Sequence, residues 1–264
     1  KYNILNMNIQ NRNKLNHMLG QWPVSGLRTA ASLRAEGVSG ALLHHYVRRR
    51  WLERVKRGVY RRPSDAPGWA AVVHMVQREE GLPVHAGGLT ALGLQGYGHY
   101  MGERPLFLYA PPRTRLPAWA TGTAGHKIRF FPTSFLGNAP KASLYGMEVE
   151  GVSIHVSRPE RAVLEMLYHV PREVGFSEAL ETVGNIATLK VDLMQALLES
   201  CASVKVKRLF CYCAREAGHF WYPDLDRRRI DLGSGKRQLV KGGTLDKEFL
   251  LTVAASPYSM EVQF

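Results

Sequence analysis

Three consecutive arginines, Arg48, Arg49 and Arg50, end a segment that begins at Ser39 and Gly40 and carries His44 and His45 one helical turn before them. Lys56 and Arg57 follow six residues later, then Arg61 and Arg62. Cationic side chains at this density bind phosphate oxygens, while neighbouring side chains on a helix reach base edges. The chemistry on offer is the capture of a polyanion, with double-stranded DNA the first candidate. The charge distribution agrees. Residues 1–62 hold 13 of the 35 Lys and Arg but only Glu36 and Glu53 of the 22 acidic residues, leaving 22 basic and 20 acidic for the other 202 residues. Such asymmetry concerns partners and adds nothing to the fold.

A helix must carry the first group. Leu42, Leu43, Tyr46 and Val47 form an apolar stripe, which predicts a helix over 39–50 with Ser39 as its N-cap. Gly40, Ala41, His44, His45, Arg48 and Arg49 fall on the other side, and the small residues let the backbone approach a groove closely. Upstream, Asn8 to Leu19 reads as a weak helix stopped by Gly20, and Trp22-Pro23-Val24 as an extended link. Leu27 to Ala35 reads as a second helix, with Gly37 placed to end it in a left-handed conformation. Helix, glycine turn and helix make a helix-turn-helix. Leu52 to Val55 and Val59 to Arg61 are strand candidates around a Lys56-Arg57-Gly58 loop, a basic-tipped hairpin. As a wing it lays Lys56, Arg57, Arg61 and Arg62 along the phosphate backbone or into the minor groove. The expected DNA contacts are Ser39, Gly40, His44, His45, Arg48, Arg49, Arg50, Lys56, Arg57, Arg61 and Arg62.

The remainder predicts a different architecture. A Pro/Gly/Ser-rich stretch at 63–68 is the expected linker between a winged helix-turn-helix at 8–62 and a larger α+β domain at 69–264. Helices are expected at 69–80, 157–169, 177–185, 191–200 and 206–217, the second opened by a Ser157–Glu160 capping box. Strands are expected near 106–110, 128–131, 147–149, 152–156, 229–232, 238–240 and 249–253. Lys205, Lys207, Arg208, Arg215, Arg227, Arg228 and Arg229 suggest a second basic surface, weighed against a solvated helix and loop neutralised by Asp224, Asp226 and Asp231.

Catalytic patterns are weak. Glu148 and Glu150 alternate on a strand without the lysine that a nuclease metal site needs, and an exposed acidic face is the commoner meaning. Cys211, Cys213 and His219 lack C-x2-C spacing and a fourth ligand, so no metal is expected and buried thiols are the simpler reading. Gly87-Gly88 has no following Gly-Lys-Ser/Thr, and no serine sits in a G-x-S-x-G elbow. The expectation is a cytoplasmic protein that is not an enzyme, uses no cofactor and touches no membrane, since three cysteines make no disulfide scaffold and no apolar run reaches bilayer length.

The segment Tyr46-Val47-Arg48-Arg49-Arg50-Trp51-Leu52-Glu53-Arg54-Val55, followed by Arg57-Gly58-Val59-Tyr60, resembles the N-terminal winged helix of the AbiEi family of bacterial antitoxins. The resemblance continues at Ser157-Arg158-Pro159-Glu160-Arg161-Ala162-Val163-Leu164-Glu165 and at Ile230-Asp231-Leu232-Gly233-Ser234-Gly235-Lys236-Arg237. It implies the antitoxin of a type IV toxin–antitoxin pair. Such a protein represses its own operon at promoter inverted repeats and counters a nucleotidyltransferase toxin without a stable complex. A chain that is monomeric in solution and cooperative on DNA is expected, because no heptad seam is visible. The alternatives are a winged-helix regulator with a ligand-sensing second domain and no toxin partner, and a DNA-processing enzyme targeted by its winged helix.

Overall fold

Leu15, Met18, Trp22, Leu33, Val38, Leu43, Tyr46 and Leu52 are buried together and form the apolar centre of the N-terminal region. The structure, a computed structural model, describes residues 15–22, 26–98, 104–123, 125–240 and 242–254. The expected link at Pro23-Val24 and the opening of the expected first helix lie outside the described residues, while 15–20 is helical. Two units are distinct: Lys1–Leu82 with Leu116–His126 and Met147–Ile154, and Pro83–Arg115 with Lys127–Gly146 and His155–Phe264.

In the first unit, strand β1 (Arg28–Thr29) precedes helix α1 (Ala30–Ala35), which is followed by helix α2 (Gly40–Arg48) and by strands β2 (Glu53–Lys56) and β3 (Val59–Arg61). The expected helix from Leu27 therefore starts three residues late. Arg28 and Thr29 pair antiparallel with Tyr60 and Val59 instead, and the Thr29 side chain caps α1 by accepting the Ser32 N–H at 3.0 Å. Apolar spacing does not encode that competition, because the strand partner lies thirty residues downstream. Ser39 caps α2 as expected, accepting from Leu42 N at 3.2 Å. Sheet order is β1-β3-β2, the three-stranded wing of a winged helix.

The two helices end in the same motif. After α1, Gly37 N donates to Arg34 O at 2.9 Å and Val38 N to Leu33 O at 3.0 Å, with Gly37 at φ 83°. After α2, Arg50 N donates to Val47 O at 3.0 Å and Trp51 N to Tyr46 O at 2.9 Å, with Arg50 at φ 56°. The left-handed position of this motif suits glycine, and the second helix fills it with an arginine.

The expected linker at 63–68 does not end the first unit. Helix α3 (Trp69–Arg78) belongs to it, together with α5 (Ala118–Thr123), which touches α3. Ala70 N donates to Glu150 Oε2 at 3.4 Å, and His74 Nδ1 lies 2.7 Å from Ser153 O. The sequence break marks a change of charge; packing follows the apolar face of α3 across it.

The second unit is built on strands β4 (His85–Ala86), β5 (Leu106–Ala110), β6 (Ile128–Pro132), β7 (Leu144–Val149) and β8 (Val152–Ser157), in the order β6-β5-β4-β8-β7. Residues 147–154 of the β7–β8 hairpin count with the first unit. β5 runs antiparallel to β4 and parallel to β6, and all five of its residues are buried. Helix α4 is Gly88–Leu94, α6 is Pro159–Tyr168, α7 is Phe176–Gly184, α8 is Val191–Ser200 and α9 is Val204–Glu216. Helix α6 touches α4, α7, α8 and α9 and is the central helix of the unit. A small sheet of β9 (Arg237–Gln238), β10 (Thr244–Asp246) and β11 (Leu251–Val253) ends it. The expected α+β class holds. Two local expectations do not. Residues Arg227–Arg229 form a 3-10 turn, with no strand at 230–232. The Ser157–Glu160 capping box is absent, because Arg158 is the N-cap of α6 and both side chains are engaged elsewhere.

Candidate nucleic-acid interface

Helix α2 presents Gly40, Ala41, His44, His45, Arg48 and Arg49 to solvent, and Arg50 and Trp51 continue that surface. The Trp51 ring meets His45 edge-on at 5.8 Å and Tyr46 at 5.7 Å, which fixes the direction in which the chain leaves the helix. Ser39 is exposed, with its hydroxyl used as the cap. Nothing lies within 4 Å of where a side chain on Gly40 would begin, leaving an open approach to the backbone. At the wing, Lys56 and Arg57 are exposed, and Gly58 takes the turn at φ 79°. The hairpin is shifted by one residue from expectation, with a bulge between Arg54 and Lys56.

The other expected contacts are held internally. Arg61 is ion-paired with Glu53 across the hairpin, Nη2 to Oε2 at 2.8 Å, and Arg62 binds Asp65 at 2.8 Å. Their charges are neutralised, which lowers the attraction each has for phosphate. Arg28 is buried against Glu36 and Glu79. Seven cations remain exposed without a carboxylate partner among the described residues of this region: Arg34, Arg48, Arg49, Arg50, Arg54, Lys56 and Arg57. Arg34 and Arg54 were not among the residues expected from the sequence. They line a groove of about 570 Å³ with Arg57, Tyr60 and Trp119. The alternation of Arg54 and Lys56 along one strand was the available signal.

The second basic set divides: Arg227, Arg228 and Arg229 are exposed but ion-paired, while two of its members are buried. Arg208 is 1% exposed and Lys207 4%. The Arg208 guanidinium donates to the carbonyls of Leu232 at 2.7 Å, Gly235 at 2.6 Å, Gly233 at 3.1 Å and Leu250 at 3.3 Å. The Asp231-Leu232-Gly233-Ser234-Gly235 stretch is thus a cradle of carbonyls around one buried cation, with Gly233 and Gly235 both at positive φ. Lys205 Nζ donates to Tyr168 O at 2.6 Å and Val170 O at 2.8 Å, at the end of α6. Arg215 binds Asp246 at 2.6 Å and Glu248 at 2.6 Å; Arg227 pairs with Glu248, Arg228 with Asp226 and Arg229 with Glu199. Clustered charge in sequence marks ion-pair and cradle positions here.

The Ser157–Glu165 stretch has a similar explanation. Glu165 is fully buried in α6, and its carboxylate receives four donors. Oε1 accepts from His85 Nε2 at 2.8 Å and Arg161 Nε at 2.7 Å; Oε2 accepts from Ser157 Oγ at 2.8 Å and Gly88 N at 3.1 Å. Burial alone would raise its pKa, but His85 and Arg161 hold it down at about 2. Gly87-Gly88 receives this carboxylate rather than a phosphate: a Cβ on Gly87 would collide with Glu165 and Tyr109. Ser157 is buried, and its hydroxyl donates to Glu165. Glu148 is exposed on β7, and Glu150 caps α3. All three cysteines are buried thiols, Cys211 pushed up to about 12 by burial. No group of His, Cys, Asp and Glu suited to a metal occurs among the described residues. None of their helices is long and apolar enough to cross a membrane.

A winged-helix module joined to a larger α+β unit is the class this architecture defines. A family model described as transcriptional regulator, AbiEi antitoxin N-terminal domain, matches residues 11–102, and one described as transcriptional regulator, AbiEi antitoxin, type IV TA system, matches residues 103–254. The chain belongs to the AbiEi antitoxin family of transcriptional regulators. The crystal structure of the RV2827C protein from Mycobacterium tuberculosis is similar in fold, with a TM-score of 0.57 and 14% identity over 86% of this chain and 85% of that one. No curated protein matches the sequence.

Proposed function

We propose that the protein represses its own operon by binding inverted repeats at the promoter, and that it counters a cognate nucleotidyltransferase toxin without a stable complex. Residues 8–62 do the DNA binding with help from residues 69–264, which carry most of the antitoxin work. The observation that carries the DNA half is the line of exposed cations without a carboxylate partner from Arg48, Arg49 and Arg50 at the C-terminal end of α2 to Lys56 and Arg57 at the wing tip. Phosphate contacts by these groups supply affinity, and His44, His45 and Arg49 on α2 supply preference among sequences. The chain acts in the cytoplasm without cofactor, metal or turnover, as a monomer that pairs on adjacent half-sites.

Footprinting on the DNA upstream of the gene tests this reading, with paired half-sites protected as the expected result. If about six phosphates are neutralised, the logarithm of affinity falls against the logarithm of salt with a slope near −5. Salt-independent binding, or uniform coverage with no protected site, sinks it. For the toxin half, co-expression of the full chain should restore growth to toxin-arrested cells, while a mixture of the two proteins elutes as separate species. Failure to restore growth overturns that half alone.

A further inference from the structure

A cavity of about 230 Å³ lies in the second unit beside the Glu165 cluster. Pro111, Pro112, Phe135 and Leu136 give it apolar walls, the buried Tyr109 ring lies beneath them, and His85, Arg161, Glu165 and Thr133 stand at its polar edge. A cavity of about 150 Å³ is enough for a benzene, so this one holds a six-membered ring with a substituent.

The side chains at the polar edge offer donors and no spare acceptor carboxylate. Each Glu165 oxygen already accepts two hydrogen bonds. Arg161 uses Nε on Glu165 and Nη1 on Ser143 Oγ at 3.2 Å, which leaves Nη2 without a partner among the described residues. The Thr133 hydroxyl accepts from Phe135 N at 3.4 Å and keeps its own proton to give. A ligand that brings acceptors can use the Arg161 Nη2 and Thr133 donors. A guanidinium edge selects a planar carboxylate, and rings and prolines select a flat apolar body.

We infer that this cavity binds a single-ring aromatic or heteroaromatic carboxylate, its carboxylate on Arg161 and its ring against Pro111, Pro112 and Phe135. The site is independent of the DNA reading and uses none of its residues. It is pre-formed, because the Glu165 cluster holds Arg161 and His85 in place before any ligand arrives.

Isothermal titration calorimetry of the full chain with benzoate tests the inference, with benzamide as the neutral isostere. Benzoate should bind one per chain with a Kd on the order of 1 mM, as its size allows, and benzamide about threefold more weakly, a modest gap because Glu165 already offsets much of the Arg161 charge. Ala139→Phe adds bulk at a lining position and should abolish the benzoate signal; should that variant not fold, Thr133→Val should weaken binding about threefold. Three results overturn the site: no saturable heat from the folded chain at benzoate about tenfold above that Kd, equal affinity for benzoate and benzamide, or undiminished affinity in the folded variant.

Discussion

Glu79, the residue that ends α3, accepts the backbone N–H of Thr29 at 2.6 Å and the Arg28 Nε at 3.1 Å. One carboxylate thus anchors the first strand of the wing sheet and neutralises the buried cation on it. Glu79→Ala leaves Arg28 with Glu36 alone and one strand N–H unpaired. Urea denaturation should show a loss of about 2 kcal/mol, and Glu79→Gln about half of that because it keeps an acceptor. No change in the midpoint for Glu79→Ala would remove the anchor.

Arg50 sits at φ 56° where its counterpart after α1 is Gly37. A non-glycine residue in this conformation costs about 1 kcal/mol, so Arg50→Gly should raise the midpoint of thermal unfolding. The same change removes a cation from the α2 surface and should weaken DNA binding and flatten the salt slope by about 1. Opposite signs in the two measurements identify a residue kept for its charge against its backbone preference.

The wing and the helix are separable by substitution. Arg57→Ala should weaken operator and random DNA by the same factor in an anisotropy titration. His45→Ala or Arg49→Ala should narrow the gap between the two DNAs by about 1–3 kcal/mol. Equal losses on both DNAs for all three variants would exclude α2 as the reader.

Acid should destabilise the second unit in two stages. Burial and the nearby Lys205 ammonium lower the pKa of His169 from 6.5 to about 4. His85 and Arg161 lower that of Glu165 from 4.5 to about 2. In both cases the unfolded chain binds the proton more tightly, so stability rises with pH through each window. The His169 contribution is complete above about pH 6.5 and lost as pH falls toward 4; that of Glu165 is complete above about 4.5 and lost toward 2. The Glu165 share is on the order of 3 kcal/mol. Denaturant midpoints from pH 7 to pH 3 should fall throughout, and His169→Gln should flatten the fall above pH 4. A wild-type profile flat from pH 7 to pH 4 would contradict the first stage.

Arg208→Lys keeps the charge but gives three donors in a compact head where the guanidinium serves four carbonyls. A stability loss of about 2 kcal/mol is expected, with no change in the salt slope of DNA binding. A changed slope in the folded variant would return this cation to the DNA-binding set.

Local signals carried the N-terminal reading far. Ser39 as a cap, Gly37 as a stop, the Leu43 and Tyr46 stripe and Gly58 in the hairpin are all short-range features that set short-range structure. The sequence was silent where depth or a distant partner decides. Arg28 and Thr29 fit a helix until β3 offers them a ladder. Arg208 and Lys207 look like surface charge, because one dimension does not record burial. Ser157 and Glu160 satisfy a capping pattern, yet Glu165 and Lys190 take their side chains. The Glu165 cluster draws its donors from His85, Gly88, Ser157 and Arg161, a spacing that no linear motif describes.

The wing tip is tied at its base, since Ala30 N donates to the Gly58 carbonyl at 2.7 Å. A loop free at its end must lose conformational freedom at each encounter, which slows productive capture and makes the step temperature-sensitive. A tip held by the first residue of α1 arrives in its final shape. Association is then governed by collision and ionic strength, so variation among operator sequences should appear in the lifetime of the complex and hardly at all in the speed with which it forms.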